Sequence, residues 1–175
     1  MKAQDVILGL LLQQGKLSGY TIKHLFESRF SFFFDASYGS VYPTLTKLEK
    51  DGFIQKEIVV QEGKPNKNMY TITEKGKEKF QLYLNSEMEK EVLRSDFHMR
   101  LYFGEFLSKE EILSLFQKDI EEREKEHQKL SVLYDEFQQY MSETQKISVQ
   151  MALEFMESSL KIEQKYKEAF KQKNV

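Results

Sequence analysis

The chain has no cysteine, only two prolines in 175 residues, and no apolar run longer than the seven residues of "VILGLLL". Without cysteine there is no disulfide framework, no thiolate metal site and no cysteine nucleophile, a composition that fits a reducing cytoplasm. A bilayer span needs roughly 20 apolar residues, and no small-residue cleavage motif follows the run, so neither a membrane partner nor secretion is expected. A cytoplasmic protein is the expectation. Glycine-rich phosphate loops, nucleophile elbows and Ser/His/Asp arrangements are also missing. The three histidines, His24, His98 and His127, are far apart and never at the i, i+4 spacing of a helical metal pair. No enzyme, no metal and no cofactor are therefore expected.

Both prolines, Pro43 and Pro65, lie in the first 65 residues, which leaves a long remainder free to be helical. With 40% hydrophobic and 31% charged residues the chain can form one or two domains with a real core. Its net charge of -2 conceals an asymmetry: residues 1–80 carry 12 Lys/Arg against 9 Asp/Glu, about +3, and residues 81–175 carry 14 against 19, about -5. A modest basic excess suits a nucleic acid only where the cations cluster.

Residues 3–14, "AQDVILGLLLQQ", are apolar almost all round, as in a helix buried among others. "GKLSGYTIKHLFESRF" follows with a turn, Ser18 as a helix cap, and Tyr20, Ile22, Leu25, Phe26 and Phe30 on a second amphipathic helix. "SFFFDAS" reads as a short strand. In "SYGSVYPTLTKLEKDGFI" (37–54) a 3.6-residue period gathers Tyr38, Val41, Tyr42, Leu45 and Leu48 on one side, and Ser40, Pro43, Thr44, Lys47 and Asp51 on the other. Ser37 or Gly39 can cap this third helix and Gly52 can end it. Its outward face is small, hydroxylated and basic, which suits a groove. "FIQKEIVVQ" and "KNMYTIT" then predict a hairpin with the basic turn "EGKPNK".

Helix, helix, helix, hairpin is the order of a winged helix-turn-helix, in which the third helix enters the major groove and the hairpin wing reaches the neighbouring backbone. The expected fold is mainly α: a winged helix-turn-helix with a small β-hairpin wing over residues 1–80, and an all-α dimerisation domain over 81–175. Three long helices are predicted in the remainder, near 74–105, 108–142 and 146–172. "EEREKEHQK" interrupts the apolar pattern of the second and argues against a continuous coiled coil. The last carries two apolar seams. Val149, Leu153, Met156 and Leu160 form one, taken as the dimerisation seam; Met151, Phe155, Ile162 and Tyr166 form the other.

Three motifs, "ILGLL…GKLSGYTIKHLF" (7–26), "GSVYPTLTKLEKDGFI" (39–54) and "KNMYTITEKGKEKF" (67–80), resemble in order and spacing the PadR family of bacterial transcriptional regulators. The tail, including "RSDFHMRLYFGEFLSKEEILSLF" (94–116), is similar to the long dimerisation domain of the phenolic-acid repressor branch. The chain departs from multidrug-sensing relatives, which have a short tail and an interface tryptophan; it has none. The resemblance implies a homodimeric repressor on an inverted-repeat operator of double-stranded DNA, released by a small aromatic effector. The same regulator with another effector or none, and a winged-helix protein-interaction adaptor, stay open beside it.

On that reading Thr44 and Lys47 face the bases, Ser40 meets a phosphate at the helix start, and Lys64 and Lys67 bring the wing to the backbone. Tyr38 and Tyr42 fall on the inward arc and are expected to pack in the core. "DFHMRLYFGEF" (96–106) admits two readings: core plus a surface arginine, or the wall of an effector pocket with Arg100 for a carboxylate and Phe97 and Tyr102 as aromatic sides.

Overall fold

α1 (Ala3–Gln14) buries Ile7, Leu8, Leu10 and Leu11, so its nearly all-round apolar surface is covered as its composition requires. Asp5 folds back to accept the Lys2 N–H at 2.9 Å and closes the first turn. These coordinates form a computed structural model that describes residues 2–26, 30, 41–60, 66–90 and 94–173. The candidate strand "SFFFDAS", the capping residues Ser37 and Gly39, and Tyr38, Ser40 and Lys64 lie outside the described residues.

Leu17–Ser18 forms β1, and Ser18 also caps α2 (Gly19–Leu25) by accepting the Thr21 N–H at 3.0 Å. α3 (Val41–Lys50) places Val41, Leu45 and Leu48 in the core. It stops in a Schellman motif: Gly52 has φ 75°, its N–H reaches the Glu49 carbonyl at 3.0 Å, and the Phe53 N–H reaches the Leu48 carbonyl at 2.9 Å. β2 (Ile54–Val59) and β3 (Lys67–Ile72) form the expected hairpin, in register from Ile54 opposite Ile72 to Val59 opposite Lys67. β3 also pairs with β1, giving an antiparallel sheet in the order β1-β3-β2, so the wing has a third strand beyond the hairpin.

α4 (Glu74–Leu84) starts from Thr73, whose hydroxyl accepts the Gly76 N–H at 3.1 Å and lies 2.8 Å from the Gly52 carbonyl. Phe80 of α4 lies on Gly9 of α1, where an added Cβ would come within 2.8 Å of the ring. Among the described residues, twelve buried side chains from α1, α2, α3 and the sheet make one core. Each fully buried Leu or Ile there is worth about 1.5–3 kcal/mol.

The expected helix over 74–105 is instead two helices, α4 and α5 (Asp96–Tyr102). Short polar side chains take over the backbone at the break: Asn85 donates to the Gln81 carbonyl at 2.9 Å, Ser86 to that of Tyr83 at 2.8 Å, and Ser95 accepts the His98 N–H at 3.1 Å. After a 3-10 turn at Gly104–Phe106, α6 (Lys109–Phe137) and α7 (Glu143–Lys171) form an antiparallel pair, each opened by a capping box, Ser108 with Glu111 and Ser142 with Gln145. α6 runs unbroken through "EEREKEHQK". The chain forms two compact units, Met1–Glu91 and Val92–Val175. Among the described residues no helix is long and apolar enough to cross a membrane.

Candidate nucleic-acid interface

α3 is held by three buried apolar side chains on one side, which leaves the opposite side to solvent: Pro43, Thr46, Lys47 and Lys50 are exposed. Lys47 lies where the sequence places it. Thr44 is half-buried on the flank, and Thr46 takes the outward position, its hydroxyl donating to the Tyr42 carbonyl at 3.1 Å. Tyr42 departs from its expected core position and is 50% exposed. One ring edge rests on Gly19, where an added Cβ would lie 3.0 Å from Tyr42 Cε1, so the glycine lets α2 and α3 approach while the rest of the ring stays outside. Thr46 is the member of this face that periodicity does not single out; Lys50 is a flank candidate, and the edge of Tyr42 is placed where its hydroxyl can meet a phosphate.

The electrostatics sort the nearby cations. Lys56 on β2 is paired with Glu49 of α3 at 3.2 Å, and Lys16 with Glu57 at 2.5 Å, so both are partly neutralised. Lys75 and Lys79 of α4 each stand 4.8 Å over the Phe53 ring, and Lys75 donates to the Asp51 carbonyl at 2.9 Å. Lys47 and Lys50 on α3 and Lys67 at the start of β3 are exposed and make no ion pair with any described residue. A helix face carrying two such lysines beside hydroxyls and a tyrosine edge, with a third at the hairpin, offers charge and hydrogen-bond donors to a phosphate-lined groove.

The residues expected to hold an effector are not brought together. Phe97 is buried in a small cluster with Ile112 and Phe116, whereas Arg100 is exposed and paired along its own helix with Asp96 at 2.7 Å, and Tyr102 is 79% exposed. Phe97 instead lines a cleft of about 340 Å³ with Phe116, Phe170, His98, Glu163 and Lys173, within the C-terminal unit. Arg100 and Tyr102 do not line it.

The seam expected to dimerise is covered largely within the chain. Val149 and Leu160 are buried where α6 and α7 meet, and Leu153 and Met156 are half-buried. The second seam is open: Met151 is 66% exposed, Phe155 74%, Ile162 55% and Tyr166 60%, with Ile147 continuing the line at 53%.

Residues 7–82 match the Transcriptional regulator PadR-like family. The Negative transcriptional regulator PadR of Bacillus subtilis is 34% identical over 143 residues, covering 81% of this chain and 76% of the relative. The crystal structure of the PadR-like transcriptional regulator BC1756 from Bacillus cereus superposes with a TM-score of 0.87 at 38% identity, over 97% of this chain and 98% of that one. The B. subtilis PadR structure in complex with operator DNA has a TM-score of 0.81 at 28% identity, over 95% and 98%. The same B. subtilis protein in complex with p-coumaric acid shares the fold, with a TM-score of 0.73 at 24% identity, over 97% and 96%.

Proposed function

The chain belongs to the PadR-like family of transcriptional regulators, and from that premise we propose that it is a homodimeric repressor of an inverted-repeat operator, released by a small aromatic acid. The observation that carries the proposal is the exposed, unneutralised face of α3, with Lys47 and Lys50 beside Thr46 and Tyr42. Thr44 flanks it, and Lys67 at the hairpin, Ser40 and Lys64 belong to the same assignment. α3 lies in the major groove and the hairpin against the adjacent backbone. The B. subtilis relative, solved with operator DNA, supports the DNA half of the reading.

Dimerisation uses the open seam of α7, since two half-sites about one helical turn apart need two subunits. The effector half rests on the relative solved with p-coumaric acid and on a cleft lined by Phe97, Phe116, Phe170 and Lys173. The effector acts by preferring the form that does not fit DNA. Shifting about 99% bound-competent to about 1% needs roughly 5.5 kcal/mol, under about 3 kcal/mol per subunit if shared between two sites.

The test is binding of a labelled duplex from upstream of the chain's own gene. Lys47→Ala should weaken specific binding by about 1–3 kcal/mol if the side chain reads a base, with helix content unchanged. Lys67→Ala should weaken binding to all sequences and lower the salt slope by about one unit. Millimolar p-coumaric or ferulic acid should release the duplex and give heat in calorimetry. Neither release nor heat would remove the phenolic-acid effector and keep the repressor; unchanged affinity in both lysine variants would remove the surface itself.

A further inference from the structure

The polar stretch that interrupts the apolar pattern of α6 supplies one half-buried cation, Arg123. Its Nε lies 2.6 Å from Asp119 Oδ2 on the same helix and 2.8 Å from Glu163 Oε1 on α7. Nε carries a single N–H, which cannot bond fully to two carboxylates at once. Glu163 has a side chain only 7% exposed, and its second oxygen, Oε2, is buried with no hydrogen-bond partner among the described residues. An ionised, half-satisfied carboxylate in such a place is costly, and a second carboxylate beside it makes it more so.

From this arrangement we propose that Asp119, Arg123 and Glu163 form a proton-binding site in which one proton is held between the two carboxylates, and that losing this proton loosens α7 from α6. When present, the proton sits on Glu163 as an O–H that donates to Asp119, within hydrogen-bond reach of it, while the Arg123 Nε–H donates to Asp119 Oδ2 and Glu163 Oε1 keeps only its ion pair with the guanidinium. The three side chains then sum to zero charge. When the proton leaves to solvent, the cluster carries one net negative charge between the helices.

The surroundings set the pH at which this happens. Burial, and then the Asp119 carboxylate beside it, push the Glu163 carboxyl up to about 7 against the opposing pull of Arg123. Glu126 of α6 adds a further negative charge near the guanidinium. On the cleft side Glu163 shares its surroundings with His98 of α5 and with Tyr166 and Lys173. The folded chain binds this proton more tightly than the unfolded chain does. The stability it confers is therefore complete below the ordinary carboxylate range and is lost as pH rises through about 7.

The experiment follows thermal and denaturant unfolding of the full-length protein from pH 5.5 to 8.5, beside a carboxyl-carbon NMR titration. Glu163→Gln carries an amide that donates to Asp119 as the protonated acid would. It should lose the wild-type fall in stability between pH 5.5 and 7, a difference of up to about tenfold per pH unit in the folding constant, and should exceed the wild type at pH 8. In the wild type, Glu163 should titrate near neutrality, and Asp119→Asn should lower that midpoint. Equal pH slopes in wild type and Glu163→Gln would overturn the proposal. So would a wild-type Glu163 that titrates in the ordinary carboxylate range, a result that needs no variant to fold.

Discussion

Phe155→Asp should convert the protein from dimer to monomer and reduce operator binding to the level of a single half-site, while leaving the fold intact. Phe155 is 74% exposed at the centre of an open line with Ile147, Met151, Ile162 and Tyr166, so the isolated chain gains little from its ring. Its substitution should change unfolding of the monomer by no more than about 0.5 kcal/mol. Across a two-fold interface each substitution occurs twice. Losing two buried phenyl rings at about 2–3 kcal/mol each, and burying two carboxylates besides, removes at least about 6 kcal/mol from association, roughly four orders of magnitude in the dissociation constant. Sedimentation at micromolar protein reads this directly. A Phe155→Asp protein that sediments as the wild-type dimer would move the interface elsewhere. Leu160→Ala is the contrasting case: because Leu160 is buried within the chain, its loss should cost about 2–5 kcal/mol in unfolding of the C-terminal unit.

Gly76→Ala should lower the stability of the N-terminal unit by about 3 kcal/mol, a fall of about 12–24 °C in its melting transition. An added Cβ would lie 2.2 Å from the Phe53 carbonyl oxygen and 2.7 Å from Ile72 Cγ1. That carbonyl accepts from both the Thr73 N–H and the Thr73 hydroxyl at 3.0 Å, so it cannot turn aside without losing bonds that tie the exit of β3 to the end of α3. Gly15→Ala separates crowding from backbone strain: Gly15 has φ 75° but nothing within 4 Å of an added Cβ, and should cost about 1 kcal/mol. Equal costs at the two positions would contradict the assigned contact.

The elements whose signals are local were legible in the residues. Ser18 caps α2, Gly52 stops α3, and the β-branched runs around "EGKPNK" pair as a hairpin, because caps and turns depend on a few adjacent groups. What depends on a distant neighbour was not legible. β1 is two residues long and exists through its pairing with Tyr70 and Met69. Tyr42 sits at the edge of the apolar arc, and whether it is covered is decided by Gly19 on another helix. The two seams of α7 look equally apolar in sequence; α6 covers one, and periodicity cannot say which. "EEREKEHQK" interrupts the apolar pattern but not the helix, which runs through it as expected, and what the sequence does not reveal is that Arg123 within it meets Glu163 across the helix pair. The aromatic run around Arg100 divides between core and surface because α6 covers Phe97 through Ile112 and Phe116, while Arg100 and Tyr102 stay exposed.

The most direct test of the DNA-binding account is anisotropy of a labelled palindromic duplex from upstream of the chain's own gene, titrated with wild type and with Lys47→Ala/Lys50→Ala across 50–200 mM salt. The account predicts that the wild type prefers the palindrome over a scrambled duplex by at least about 10³-fold, with affinity falling steeply as salt rises. The double variant should lose most of that preference and have a shallower salt slope by about one to two units. Equal wild-type affinity for palindrome and scrambled duplex, or a double variant indistinguishable from wild type, would contradict it.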